Sequence, residues 1–367
     1  MKEFKTEVDF DSQINNSKLL SIGWLCTYTP EEVIYAAGFH PFRLLEDTPS
    51  TKLADTYLHY NLCPYVRSCL DFGLRKENQL LKGIIIVNSC DAMRGLYNIW
   101  SRYLSAETFV HFMELPKVAT SLAVDYFKKE IQKLINSLEK HFGRRIKESA
   151  LYEAVGIYNE SRDLMSELYE LRKDQSLPLN GTLVSRVVRA GQIIPKKTFN
   201  QKLKKLIAEI KTTRARADQP EKPRIMIVGS LLYNSQLIET VEEAGAVVVC
   251  DDLCTGSRYF EGRIEDRDNL VEALSRHYLL KTPCARMKDT SLRLEAGRKR
   301  VEEYRVDGVI YQTLKFCDNH LYDYPVYQEF FKKLDVPILQ IENDFVGGNL
   351  GQIKTRIEAF IEMLSMV

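Results

Sequence analysis

An α/β protein of two doubly wound domains, with mainly parallel sheets, is the fold this sequence predicts, and three observations carry it. Short apolar runs such as Ile84–Val87 and Ile225–Val228 are followed directly by helical periodicity, the pattern of buried parallel strands with crossover helices. The charged stretch Arg214–Pro223, with two prolines, divides the chain as an inter-domain linker does. Between the halves, amphipathic spacing runs on without a strand pattern, which predicts a helical insert or connector. The expected organisation is an N-terminal α/β domain over 1–120, a helical connector and linker over 121–222, and a C-terminal α/β domain over 223–367.

In the first domain, "SIGWLC" and "GIIIVNSC" each read as a strand followed by a helix, and "TFVHFMELP" reads as a strand ended by Pro116. After Cys26, Thr29 is the expected N-cap and Pro30 the first helical residue. Leu122, Tyr126, Leu134 and Leu138, then Leu151, Val155, Tyr158, Leu164 and Leu168, mark helices interrupted near Gly143. The final third alternates "RIMIVGS", "AVVVCDD", "DGVIYQT" and "VPILQIE" with helical stretches, which predicts parallel strands joined by right-handed crossovers. Gly347, Gly348 and Gly351 read as a turn before the last helix rather than a dinucleotide fingerprint, and no P-loop motif occurs.

Composition bounds the function. The 367 residues are 45% hydrophobic and 28% charged, ordinary for a globular protein. The 51 basic and 50 acidic side chains nearly cancel, so charge gives no case for nucleic acid or an anionic membrane. The polar amino terminus lacks an apolar signal core, and no run approaches the roughly 20 apolar residues of a membrane span. A cytoplasmic location is expected, where the eight cysteines are thiols, catalytic groups or metal ligands rather than disulfides.

The cysteines repeat one placement. Cys26, Cys90, Cys254 and Cys317 each follow a predicted strand, where open α/β sheets line their ligand crevice, so they are expected at the mouths of two sheets facing a central cleft. Cys63 and Cys284 lie beside prolines in predicted loops, while Cys69 falls in a helix and Cys250 in or at the end of a strand, as packing cysteines do. Paired C-x2-4-C knuckles for zinc are missing, and the histidines at 40, 59, 111, 141, 277 and 320 give no nucleophile arrangement. Iron–sulfur ligation by thiolates gathered from distant loops is the sharpest chemical reading. Asp91, Asp252 and Asp318 read as helix N-caps, Arg67, Arg258 and Arg286 as ion-pairing groups or anion donors, and Trp24, Tyr28, Tyr65 and Phe316 as packing or shielding aromatics.

Several stretches together resemble the 2-hydroxyacyl-CoA dehydratase and benzoyl-CoA reductase iron–sulfur subunits: "GWLCTYTPEEVIYAAGFHPFRL", "LCPYVRSCLDFGL", "NSCDAMRGLYNIW", "DDLCTGSRYF", "PCARM", "LKFCDNHLYDYP" and "GQIKTRIEAFIEML". The resemblance is closest to the double-cubane cluster proteins of that superfamily, because six loop cysteines are present where dehydratase subunits use three. It implies Cys26, Cys63, Cys90, Cys254, Cys284 and Cys317 as ligands of an [8Fe-9S] cluster, two cubanes sharing a sulfide, with Cys69 the alternative to Cys63. It also implies a separate ATP-hydrolysing iron–sulfur reductase that delivers low-potential electrons, a small-molecule substrate and a homodimer. The alternatives are a 2-hydroxyacyl-CoA dehydratase subunit with a [4Fe-4S] cluster and a non-catalytic electron carrier or cluster-storage protein.

Overall fold

The computed structural model describes residues 19–46, 50–75, 79–106, 108–174, 176–177, 179–212, 222–265, 269–343 and 350–366. The polar amino terminus up to Lys18, most of the Arg214–Pro223 linker, and Gly347 and Gly348 lie outside them.

Two four-stranded sheets are present, and every strand pair is parallel. The first contains β1 (Ser21–Trp24), β2 (His40–Arg43), β3 (Leu81–Val87) and β4 (Phe109–Met113) in the order β2-β1-β3-β4. The second contains β5 (Arg224–Gly229), β6 (Val247–Asp252), β7 (Gly308–Leu314) and β8 (Ile338–Asn343) in the order β6-β5-β7-β8. The two sheets repeat one topology, that of a doubly wound domain. Both faces are covered, which is why the strands read as unbroken apolar runs. Ile84 and Ile86 pack into one core while Ile85 and Val87 pack into another. In the second sheet Ile225 and Ile227 face one layer of side chains, and Met226 and Val228 the opposite one.

In the N-terminal half, α1 (Glu31–Ala36), α2 (Pro64–Arg75) and α3 (Asp91–Tyr103) flank the sheet. Four helices follow: α4 (Ser121–Phe142), α5 (Glu148–Leu171), α6 (Gly181–Ile193) and α7 (Lys196–Thr212). Gly143 ends α4 in the left-handed conformation at φ 65°, the break expected there. The C-terminal half adds α8 (Gln236–Glu243), α9 (Ser257–Phe260), α10 (Leu270–Leu280), α11 (Thr290–Tyr304), α12 (Asp318–Lys333) and α13 (Leu350–Ser365). Gly351 belongs to α13 rather than to a turn before it.

The segment after α9 leaves its own sheet. Ile264, Leu270, Leu274, Tyr278, Leu279 and Met287 join the core on the first sheet, and Ser275 donates to the Val124 carbonyl of α4 at 2.6 Å. Lys128 of α4 pairs with Glu272 of α10 at 2.9 Å. The crossing segment returns through Cys284 to α11, so one loop of the C-terminal half is seated on the N-terminal half. Among the described residues no helix is long and apolar enough to cross a membrane.

Candidate metal centre

The carboxyl ends of the strands carry the cysteines. Cys26 lies two residues beyond β1, Cys254 two beyond β6, and Cys90 and Cys317 are the N-cap residues of α3 and α12, after β3 and β7. In each sheet the strand order reverses at its first strand, between β1 and β3 and between β5 and β7, and crevices open at such switch points. Cys26, Cys90 and Cys317 stand there. Cys63 immediately precedes α2, and Cys284 follows α10 on the crossing segment. Phe316, just before Cys317, has φ 60°, a conformation that non-glycine residues rarely adopt, and it turns the chain sharply into α12.

These six thiols fall into two electrostatically linked groups. Cys26 interacts with Cys284 and Cys254; Cys63 interacts with Cys317 and Cys90. Each group takes residues from both halves of the chain. Cys63 and Cys317 share a hydrogen bond that, with burial, pushes Cys63 up and, helped by His320 and Arg286, pulls Cys317 down to about 5. Burial pushes Cys284 up, but Arg286, a hydrogen bond to His320 and Arg258 overcome it and hold the thiol well below its ordinary range. Among the described residues no three His, Cys, Asp or Glu side chains are gathered for a single metal ion. A polynuclear cluster has another requirement, since each thiolate binds its own iron corner.

Several cations stand around the thiols, and among the described residues four of them have no carboxylate within ion-pair distance. Arg43, at the end of β2, is fully buried; it donates to the Cys254 carbonyl at 2.6 Å, to Cys254 Sγ at 3.3 Å and to Gln192 Oε1 at 2.8 Å. Arg286 donates to Cys284 Sγ at 3.2 Å and acts also on Cys90, Cys317 and Cys26. Lys117 donates to the carbonyls of Asn88 and Ser89, and Lys281 to that of Thr27, all within 2.9 Å. Among the described residues none of the four pairs with a carboxylate. Other buried cations do: Arg162 with Glu32 at 2.5 Å, Arg258, which also acts on Cys284, with Asp252 at 3.1 Å, and Arg293 with Asp323 at 2.5 Å. The Nε atoms of Arg43 and Arg286 are buried without a partner. Arg43 is thus a fully buried charge without a carboxylate counter-ion, an arrangement that costs several kcal/mol and that an anion such as iron-bound thiolate with sulfide would offset.

The other cysteines sit apart. Cys69 lies inside α2 beside Tyr65 and the Leu44 carbonyl, and Cys250 lies inside β6; burial pushes both thiols up, Cys250 to about 12. The capping expectations need correction. Pro30 is the N-cap of α1 and Glu31 its first residue. Asp91 and Asp318 occupy first-turn positions because cysteines hold the caps, and Asp252 ends β6 in its ion pair with Arg258. Arg67 pairs with Asp55. Trp24 stacks on Tyr259 at 5.9 Å, Tyr65 donates to the Leu25 carbonyl, and Tyr28 Oη accepts from Cys284 N–H at 3.2 Å, so these aromatics pack the loops that carry the thiols. His320 is brought to within 3.9 Å of Cys284 Sγ. Arg43, which the sequence reading passes over, stands on a strand it also passes over.

The family model for the 2-hydroxyglutaryl-CoA dehydratase D-component matches residues 26–364. The chain belongs to this family. Three relatives show the range of enzymes represented. The (R)-phenyllactyl-CoA dehydratase beta subunit of Clostridium sporogenes is 26% identical over 347 residues, covering 94% of this chain and 91% of its own. The beta subunit of lactoyl-CoA dehydratase from Anaerotignum propionicum is 28% identical, and one of the subunits of benzoyl-CoA reductase from Thauera aromatica 24%, each with the same coverage of both chains. The relatives of this D-component protein thus include subunits of both dehydratases and a reductase.

Proposed function

We propose that this chain is the iron–sulfur component of a reductase, holding an [8Fe-9S] double-cubane cluster through Cys26, Cys63, Cys90, Cys254, Cys284 and Cys317. The observation that carries the reading is the pairing of two three-thiol groups with four cations that lack carboxylate partners. Three thiolates leave one corner of a cubane open, and joining two such corners through sulfide uses all six. When bound, the cluster supplies storage and transfer of low-potential electrons to a small substrate. The protein's part is to place cations on the sulfurs, Arg43 on Cys254 and Arg286 on Cys284, and to pack the loops that carry them with Trp24, Tyr28 and Tyr65. Membership of the D-component family supports a separate partner, read here as an ATP-hydrolysing iron–sulfur reductase, and the absence of a P-loop motif agrees with ATP acting elsewhere. A cytoplasmic homodimer is part of the same reading, and a monomer in analytical ultracentrifugation counts against it.

A second reading, a 2-hydroxyacyl-CoA dehydratase subunit with one [4Fe-4S] cluster, is favoured by the relatives that carry dehydratase names. Eight single cysteine-to-alanine variants, purified without oxygen, separate the two. Loss of any of the six ligands removes a bond no nearby nitrogen or oxygen replaces, so iron and visible absorption fall severely. Cys69→Ala and Cys250→Ala keep the iron and cost on the order of 1 kcal/mol in stability. Full iron retention in the Cys254 and Cys284 variants defeats the double-cubane reading, and iron loss in Cys69→Ala with retention in Cys63→Ala moves one ligand. Activity is then assayed with an ATP-dependent reductase.

A further inference from the structure

We infer that Arg43 is a positioning residue that sets the electron affinity of the cluster at its Cys254 end, by fixing a buried positive charge against that ligand. The inference rests on the cluster reading above. Three features of the site set Arg43 apart from the other cations. It is 0% exposed, whereas Arg286 is only partly buried and therefore partly screened by water. Its guanidinium holds Cys254 at two atoms, the sulfur at 3.3 Å and the carbonyl at 2.6 Å, with Gln192 Oε1 a neutral third partner. It cannot swing away: β2 is hydrogen-bonded to β1 with Arg43 opposite Trp24, and the guanidinium lies 5.0 Å over the Trp24 ring.

Reduction adds one electron to a site already rich in negative charge, and the electron comes from an external low-potential donor, with no bond made or broken at Arg43. A fixed positive charge in a low-dielectric environment stabilises that added charge more than an exposed one does. Burial by itself disfavours the charged guanidinium, and the attraction of the Cys254 sulfur outweighs it, so Arg43 keeps its charge where it is buried.

The test is an EPR-monitored redox titration of the anaerobically purified holoprotein and of Arg43→Gln and Arg43→Lys, with iron content and circular dichroism measured alongside. Arg43→Gln keeps its iron and lowers the reduced-to-oxidised ratio at fixed potential roughly tenfold, which is about 59 mV for one electron. Arg43→Lys, which keeps the charge, stays close to the wild type. Wild-type protein is read at low and high salt as well, and its potential stays constant because the controlling charge is buried. An unchanged potential in an iron-replete Arg43→Gln, equal shifts in both variants, iron loss from both folded variants, or a strongly salt-dependent wild-type potential each overturns the inference. Wild-type protein without iron defeats the cluster reading itself, a distinct outcome.

Discussion

At the scale of single residues, the buried histidines separate ordinary packing from the chemistry of the site. His40 donates to the Ile193 carbonyl at 2.6 Å, and burial pushes it down to about 4. His111 is likewise pushed down to about 4 by burial, with Glu130 opposing and Lys133 adding. Both are neutral in the folded protein where the unfolded chain, at about 6.5, already binds a proton. The unfolded state therefore binds more protons between pH 6.5 and 4, and folding stability rises with pH through that window and is fully present above it. The loss towards pH 4 is at most about 3 kcal/mol for each histidine. Urea unfolding of the metal-free protein across this range is expected to show the slope, and His40→Gln with His111→Phe to lessen it, His277, which burial also holds well below its ordinary range, keeping the rest. A pH-independent midpoint in the parent contradicts the account. Arg43 shows why another residue escaped notice: an arginine after "HPF" looks like any surface charge until its missing carboxylate is known, and only tertiary contacts reveal that.

At the scale of elements, the turns after the strands are tightly specified. Gly229 closes β5 at φ 126°, and a Cβ there would stand 2.0 Å from the Gln312 carbonyl oxygen of β7. Gly245 also has positive φ, 100°, but no atom lies within 4 Å of its Cβ position. Gly245→Ala should therefore cost backbone strain alone, about 1–3 kcal/mol, and Gly229→Ala clearly more because a sheet neighbour must move. Equal denaturation midpoints for the two variants would show that β5 and β7 yield easily. Seven of the eight strands were legible as apolar runs. The eighth, β2, is four residues long and contains Pro41, which a central strand excludes but an edge strand tolerates; β2 is at the edge. The cap shift at Thr29 and Pro30 is of one residue, within the ordinary fraying of helix ends. The caps at Cys90 and Cys317 were hidden by the adjacent aspartates, which have the better capping chemistry in sequence but sit in the first turn, favourable to the helix dipole.

At the scale of the whole molecule, the site exists because two copies of one sheet topology bring their strand ends together and the crossing segment carries Cys284 onto the first half. Periodicity identified the two halves; it could not indicate that α10 belongs energetically to the opposite core, because an amphipathic face does not name its partner. Each three-thiol group draws on both halves, so a cluster bound as proposed would cross-link them. Its removal leaves four cations without a counter-anion, and the metal-free protein should melt at a lower temperature than the loaded one. Coincident melting curves would mean that the thiols hold nothing that stabilises the fold. The most direct test of the central claim is the iron and acid-labile sulfide content of anaerobically purified protein, counted per chain. The account predicts about eight iron atoms with a slight excess of sulfide, and about four iron atoms, insensitive to loss of Cys254 or Cys284, would contradict it.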